Sequence, residues 1–176
     1  MALNIDISST FTSTFGYTPE TLNVLTQPDM NKRGTSYYGK ETWNKAYFMA
    51  VKLGTLELYN PVISISNQKT IVQTALVNRS GTVKEMISKE DYKINIKGII
   101  LREDNAFPDG EISDLLDLYN RNEALPIVCA LTSLIFDEGE KVVITDLSFP
   151  PSPGTKNIQA YEMNLISDLK FILNKA

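Results

Sequence analysis

Ten consecutive residues, Tyr92-Lys-Ile-Asn-Ile-Lys-Gly-Ile-Ile-Leu101, constrain the fold of this chain more than any other stretch. Tyr92, Ile94, Ile96, Gly98 and Ile100 fall on one side of an extended backbone, and Lys93, Asn95 and Lys97 on the other. Successive side chains of a strand point to opposite faces, so this segment belongs to an antiparallel sheet with one face buried and one wet. Glycine weakens a strand interior, and Gly98 therefore marks a bulge or a close approach by another part of the backbone. Such a sheet needs apolar partners. With 43% hydrophobic and 22% charged residues, a chain of 176 residues supplies them within one domain of ordinary size.

Partner segments lie on both sides. Leu56 to Ser66 holds the β-branched run Val62-Ile-Ser-Ile65, and Ile71 to Asn78 alternates Ile71, Gln73, Ala75 and Val77 against Val72, Thr74 and Leu76. Asn67-Gln-Lys69 between them reads as a hairpin turn. Trp43 to Leu53 mixes aromatics and aliphatics with no period that separates helix from strand. Leu125 to Leu131 reads as a buried strand, and the acidic turn Asp137-Glu-Gly-Glu140 leads into Lys141 to Phe149. After the rigid loop Pro150-Pro-Ser-Pro-Gly154, Ile158 to Ser167 places Tyr161, Met163 and Leu165 on one face, and Leu169 to Leu173 closes the pattern.

One helix is expected at about 109–121. Pro108 suits its start, and Asp109, Glu111 and Asp114 suit the positive end of its dipole. Ile112, Leu115, Leu116 and Tyr119 form a stripe at i, i+3, i+4 and i+7 that should lie on the sheet. Each buried side chain would contribute on the order of 1.5–3 kcal/mol before entropy. The expected fold is mainly β with one packed helix (α+β), an antiparallel barrel or sandwich of six or seven strands over residues 43–176.

Residues 1–42 differ. Ser8 to Tyr17 is a Ser/Thr tract punctuated by Phe11, Phe15 and Tyr17, and Asn31 to Gly39 is polar and turn-rich. This composition reads as a loose tail or as an extended N-terminal arm whose aromatics pack on a neighbouring subunit. The start, Met1-Ala-Leu-Asn-Ile-Asp6, has neither a basic region nor an apolar run, so no signal peptide is expected. The longest apolar stretch, Ala124 to Phe136, is interrupted by Pro126, Thr132 and Ser133 and falls short of the ~20 residues of a bilayer span. Synthesis in a cytoplasm, without membrane insertion, is the expectation.

Composition also narrows the chemistry. The chain has no histidine, which removes Ser–His and Cys–His nucleophiles, His-ligated zinc and an imidazole base. A single cysteine, Cys129, can form neither an internal disulfide nor a thiolate zinc site, and within an apolar run it reads as an inert buried thiol. Seventeen basic against twenty-one acidic residues give a net charge of −4, which is no global grip on nucleic acid. The acids of Glu103 to Glu111 lack the spacing of a calcium loop. Asp114 and Asp117, three apart on the helix, read as a solvated face rather than a hydrolytic pair. Lys84, Lys89, Lys93 and Lys97 read as a wet or blunted sheet face.

An ordered series of segments carries a resemblance. It runs from Gly81-Thr-Val-Lys-Glu-Met-Ile87 and Asp91 to Ile100 through Phe107-Pro-Asp109 and Leu125-Pro-Ile-Val128. It continues with Lys141-Val-Val-Ile144, Pro153 to Tyr161 and Ser167-Asp168. Over roughly residues 70–172 the chain resembles a family of small tail proteins of tailed phages and prophages, of unassigned activity, associated with the baseplate end of contractile tails. Gly81, Lys84, Glu85, Gly98, Pro108, Asn157, Gln159, Ser167 and Asp168 match the pattern; Phe107 stands where it usually has tyrosine.

The resemblance implies a barrel or sandwich of the tail-tube type in the virion, assembled as a homo-oligomeric ring, a hexamer at family level. Its place would be the junction of tube and baseplate, lining or extending the tube, with tube and baseplate proteins as neighbours and DNA in transient passage. No cofactor and no enzymatic activity are implied. Candidate subunit contacts are Phe11, Phe15 and Tyr17 in the arm, and Lys84, Glu85, Asn157, Gln159, Ser167 and Asp168 in the domain. The alternatives are a neck or tail-terminator ring, a monomeric β-barrel binding module, and a cell-wall hydrolase using Asp114 and Asp117.

Overall fold

The computed structural model describes residues 6–22, 36–37, 40–41, 47–75, 77, 80–136, 141–152 and 156–168. The chain runs α1 (Ile7–Phe15), β1 (Glu20–Leu22), β2 (Ser36–Tyr37), β3 (Lys40–Glu41), β4 (Tyr47–Met49), β5 (Val51–Leu53), β6 (Leu56–Glu57) and β7 (Val62–Ser66). It continues with β8 (Lys69–Ala75), β9 (Thr82–Lys89), β10 (Lys93–Leu101), α2 (Asp109–Tyr119), β11 (Leu125–Cys129), α3 (Thr132–Ile135), β12 (Lys141–Ser148) and β13 (Ile158–Asp168). The fold is mainly β with few helices, as the alternation of Tyr92 to Leu101 implies.

The centre of the structure is the antiparallel pair β10–β13, in register from Lys93↔Ile166 to Leu101↔Ile158. Ile94, Ile96 and Ile100 of β10 and Tyr161, Met163 and Leu165 of β13 face inward and are buried. Gly98 stands opposite Tyr161, and a β-carbon at position 98 would come within 2.4–2.5 Å of the tyrosine ring. The glycine therefore marks a close approach, by a ring rather than by backbone. The Tyr161 hydroxyl donates to the Tyr59 carbonyl at 2.9 Å, which satisfies the polar end of a fully buried ring.

Neighbouring strands extend this pair in the order β1-β4-β7-β10-β13-β12-β11-β5-β6. β4 lies towards one end of that order and β5 towards the other, yet only Ala50 separates them in the chain. Two residues span at most ~7 Å. The two ends of the sheet are thus drawn together, and the sheet curls around a core that includes Val51, Leu53, Ile96, Leu115, Val142 and Met163. Among the described residues the curled sheet stays open, since no pairing joins β1 or β4 to β5 or β6. In β12 the register against β13 shifts between Ile144 and Asp146. The extra residue, Thr145, lets both Ile144 and Leu147 pack against the core while Asp146 stays exposed.

Residues 7–15, expected as part of an extended arm, are helical. Ser and Thr favour caps and turns, and a nine-residue helix is marginal alone. Here the Asp6 side chain caps the Ser8 N–H at 3.0 Å, Gly16 closes the helix in the left-handed conformation, and hydroxyls bond back one turn, as Thr12 does to the Ser8 carbonyl at 2.7 Å. Docking completes the case. Phe11 is 0% exposed in a second small core with Phe48, Val62, Ile99 and Ile158. Its ring meets Phe48 edge-on at 5.3 Å. Ile99 lies on the otherwise wet face of β10, and there the polar alternation of that face ends because α1 covers it.

Two further expectations change. The turn at Asn67-Gln-Lys69 does not join paired strands: β7 pairs with β10, and β8 pairs with β9 from Lys69↔Lys89 to Ala75↔Thr82. Helix α2 is where the acids and Pro108 place it, but its buried residues are Leu115 and Leu118. Leu116 and Tyr119 of the predicted stripe remain 41% and 40% exposed. The helix is turned so that only Leu115, Leu118 and, in part, Ile112 reach the core. The expectations at Trp43, at the 137–140 turn and at Leu169 to Leu173 lie outside the described residues.

Two substitutions test these packing constraints. Gly98→Ala should destabilise the protein by about 1–3 kcal/mol by overpacking. In a denaturant double-mutant cycle with Tyr161→Leu, the loss should be less than additive. Phe11→Ala should cost about 3 kcal/mol and expose α1 to protease, read as a lower denaturation midpoint and faster cleavage near residues 6–17.

Candidate assembly surfaces

The exposed half of the β10–β13 face is a polar lattice. Across four strands, Ser64, Asn95, Asn164 and Asp146 stand in one row. The Asn95 amide donates to Glu162 at 2.7 Å and to the Asn164 side chain at 2.8 Å, and Asn164 donates to Asp146 at 3.4 Å. In the next row Lys97 pairs with Glu162 at 3.5 Å, and its ammonium lies 5.2 Å from the Phe15 ring centre. Burial and the Glu162 carboxylate push the Tyr17 phenol upward. Lysines and acids are thus balanced against one another, and the surface is wet, ordered and nearly neutral.

A second surface stands apart. Every residue of β8 and β9 is exposed, and the two strands pair with each other alone among the described residues. The base of this hairpin is tied down: Glu90 N–H donates to the Gln68 carbonyl at 2.9 Å, Thr70 to the Glu90 carboxylate at 3.1 Å, and Lys93 to the Gln68 side chain at 3.4 Å. Its flanks are apolar. Ile71, Val72, Val83, Met86 and Ile87 are all exposed, Met86 to 59% and Ile87 to 65%. An isolated two-stranded hairpin is marginal in water, so one with apolar side chains on its strands calls for a cover.

The third surface surrounds α2. Its exposed Leu116 and Tyr119 lead to a cleft of about 570 Å³ lined by residues 119–124 with Val143, Ile144 and Asp168. The helix is anchored from behind by Tyr59, whose hydroxyl donates to Asp114 at 3.2 Å. Burial, and then the Asp114 carboxylate, raise the Tyr59 phenol from the usual 10.0 to about 12. Asp104 is held below the usual carboxylate range by its bond to Arg102, which also pairs with Glu111 at 3.5 Å.

The residues selected from the sequence fall into distinct groups. Phe11 is buried within its own chain, Phe15 is half-buried beside it, and Tyr17 is exposed at the edge of the same ring cluster. Lys84 and Glu85 stand on the hairpin, opposite Gln73 and Val72. Asn157, Gln159 and Ser167 form bonds inside the domain: Asn157 donates to the Arg102 carbonyl at 2.8 Å, Gln159 to the Pro150 carbonyl at 2.9 Å, and Ser167 Oγ accepts from Tyr92 N–H at 2.8 Å. Asp168 lines the cleft. Sequence reasoning missed β9 as a strand and the exposed side of α2. The alternating run Thr82 to Lys89 carried the first signal.

Chemistry-bearing groups are dispersed. Among the described residues no three His, Cys, Asp or Glu side chains gather in a metal-holding group. The Cys129 thiol is buried, raised by burial, and held against Thr132 N–H at 3.3 Å. No helix among the described residues is long and apolar enough to cross a membrane.

The family model described as a domain of unknown function (DUF6046) matches residues 57–176, from β6 through the hairpin, α2 and β13. No curated protein matches. Among solved structures, a match is the crystal structure of the SPP1 Dit (gp 19.1) protein, described as a paradigm of the hub adsorption apparatus in phages infecting Gram-positive bacteria. The likeness has 11% identity and a TM-score of 0.42, and covers 68% of this chain and 49% of that one. This chain thus spans about half the length of that protein.

The Tyr59–Asp114 tie has a pH signature. Between the unfolded phenol near 10.0 and the folded one near 12, the unfolded chain has lost a proton that the folded chain keeps. This contribution to stability is therefore complete below pH ~10 and falls as pH rises towards ~12. Titration at the phenolate absorbance should show one phenol near the upper value that disappears in Tyr59→Phe and moves down in Asp114→Asn.

Proposed function

We propose, from the premise that this chain belongs to the DUF6046 family, that it is a non-enzymatic structural subunit of a phage tail or contractile injection machine. The observation that carries this reading is the doubly exposed β8–β9 hairpin, tied at its base by hydrogen bonds, an element with apolar side chains to cover and no role in the core. A domain that holds such an element in place is suited to assembly with neighbours. The resemblance of residues 70–172 to phage tail proteins spans much of the family match and supplies the machine.

Within that class the subunit forms a homo-oligomeric ring, with hexamer as the family-level number, at the junction of tube and baseplate. The balanced lattice of Lys93, Lys97, Asp146 and Glu162 suits a lumen through which DNA passes, because paired charges neither grip nor strongly repel a polyanion. A neck or terminator ring is the second reading. It shares the assembly elements and differs only in position.

Electron microscopy of tail particles decorated with an antibody to this chain tests the proposal. Label in a ring at the baseplate end is the expected outcome. Label at the neck would favour the second reading. Purified particles that lack the chain altogether would overturn both.

A further inference from the structure

The hairpin and the α2 surface complement each other. On β8 and β9, Lys69, Lys84 and Lys89 stand against one acid, Glu85. Helix α2 carries Asp109, Glu111, Asp114 and Asp117 and no basic residue. Glu111 is already paired with Arg102 and Asp114 with Tyr59, so Asp109 and Asp117 are the acids that the outer side of α2 sets against the lysines of the hairpin. Ile71 and Met86 are cross-strand partners on one face of the hairpin, with Lys84 two residues from Met86 on the same face. On the other surface, Leu116 and Tyr119 lie one turn apart, with Asp117 about 100° round the helix from Leu116, and the ~570 Å³ cleft next to Tyr119 has Val143, Arg121, Glu123 and Asp168 in its wall.

The two surfaces belong to different parts of the sheet. The hairpin leaves between β7 and β10, whereas α2 packs towards β12. In the described structure the hairpin strands form no pairing outside their own sheet. A contact between unlike surfaces on two copies is head-to-tail, and head-to-tail contacts close into rings when the rotation permits.

We infer that the β8–β9 hairpin of one copy docks Ile71 and Met86 onto the Leu116–Tyr119 side of α2 in a second copy, with Lys84 facing Asp117. This rests on the reading that the protein assembles with itself, and it names the joint. The occupant is a second copy because the charge and apolar patterns of this one chain answer each other.

The test uses the full chain in sedimentation and light scattering. Met86→Glu and Leu116→Lys should each weaken self-association by about tenfold or more while leaving the thermal transition in place, since both side chains are exposed. Mixing the two variants should restore one joint and yield a heterodimer that stops there, because each variant keeps one intact surface. Lys84→Glu should weaken assembly, and adding Asp117→Lys should recover part of it.

Wild-type assembly that neither variant disturbs would overturn this joint and leave the tail reading standing. So would a mixture that gives no heterodimer. A wild-type chain that stays monomeric at every concentration, or a hairpin that Met86→Glu disables only towards a different tail protein, would overturn docking on a second copy. The decorated particles would still decide the tail reading separately.

Discussion

Gly98 and Tyr161 face each other across the β10–β13 ladder, and the tyrosine ring occupies the space that a β-carbon at position 98 would need. A slip of one residue would turn every side chain to the wrong face, and a slip of two would set Ile96 or Ile100 against the ring. The glycine thereby selects one register among those that alternation alone permits. The Tyr161 hydroxyl then holds the Tyr59 carbonyl, and the Tyr59 hydroxyl holds Asp114 of α2. One contact at the middle of the sheet is passed on to the position of a helix at its side.

The same ladder divides the outer face of the sheet. At one end Ile99, Leu101 and Ile158 lie under Phe11 of α1; at the other, Asn95, Asn164 and Asp146 form the polar lattice. Lys97 stands at the boundary, paired with Glu162 and set over Phe15. Burial on both faces at one end and hydration at the other let a single nine-residue strand serve as core, helix platform and surface. The β12 bulge maintains this division by keeping Asp146 outward while Ile144 and Leu147 pack inward.

Much of this was legible along the chain. Period-two alternation in Tyr92 to Ile100 and in Ile158 to Leu165 named the two central strands and their buried sides, and Gly98 marked a bulge or a backbone approach where the structure has the Tyr161 ring. Pro108 and the acids after it placed the start of α2. The exposed side of that helix was not legible, because Leu115, Leu116, Leu118 and Tyr119 are chemically alike and periodicity cannot say which pair meets the core. Nor was α1: a Ser/Thr tract has poor helix propensity, and its order comes from burying Phe11 against strands distant in sequence. The hairpin was half visible, with Lys84 and Glu85 singled out but its first strand assigned to the wrong partner.

Local sequence, then, determined that Tyr92 to Leu101 and Ile158 to Ser167 extend, that a helix follows Pro108, and that this chain supplies no histidine and no internal disulfide. These properties depend on neighbours within a few residues, or on the mere presence of a side-chain type. Tertiary structure alone decided that β8 pairs with β9, that α1 folds back onto the sheet, and that Leu116 and Tyr119 face outward. The first follows from β10 taking the edge of β7, which leaves β8 to β9; the other two turn on which apolar surfaces compete for the same core, a competition between residues far apart in the chain.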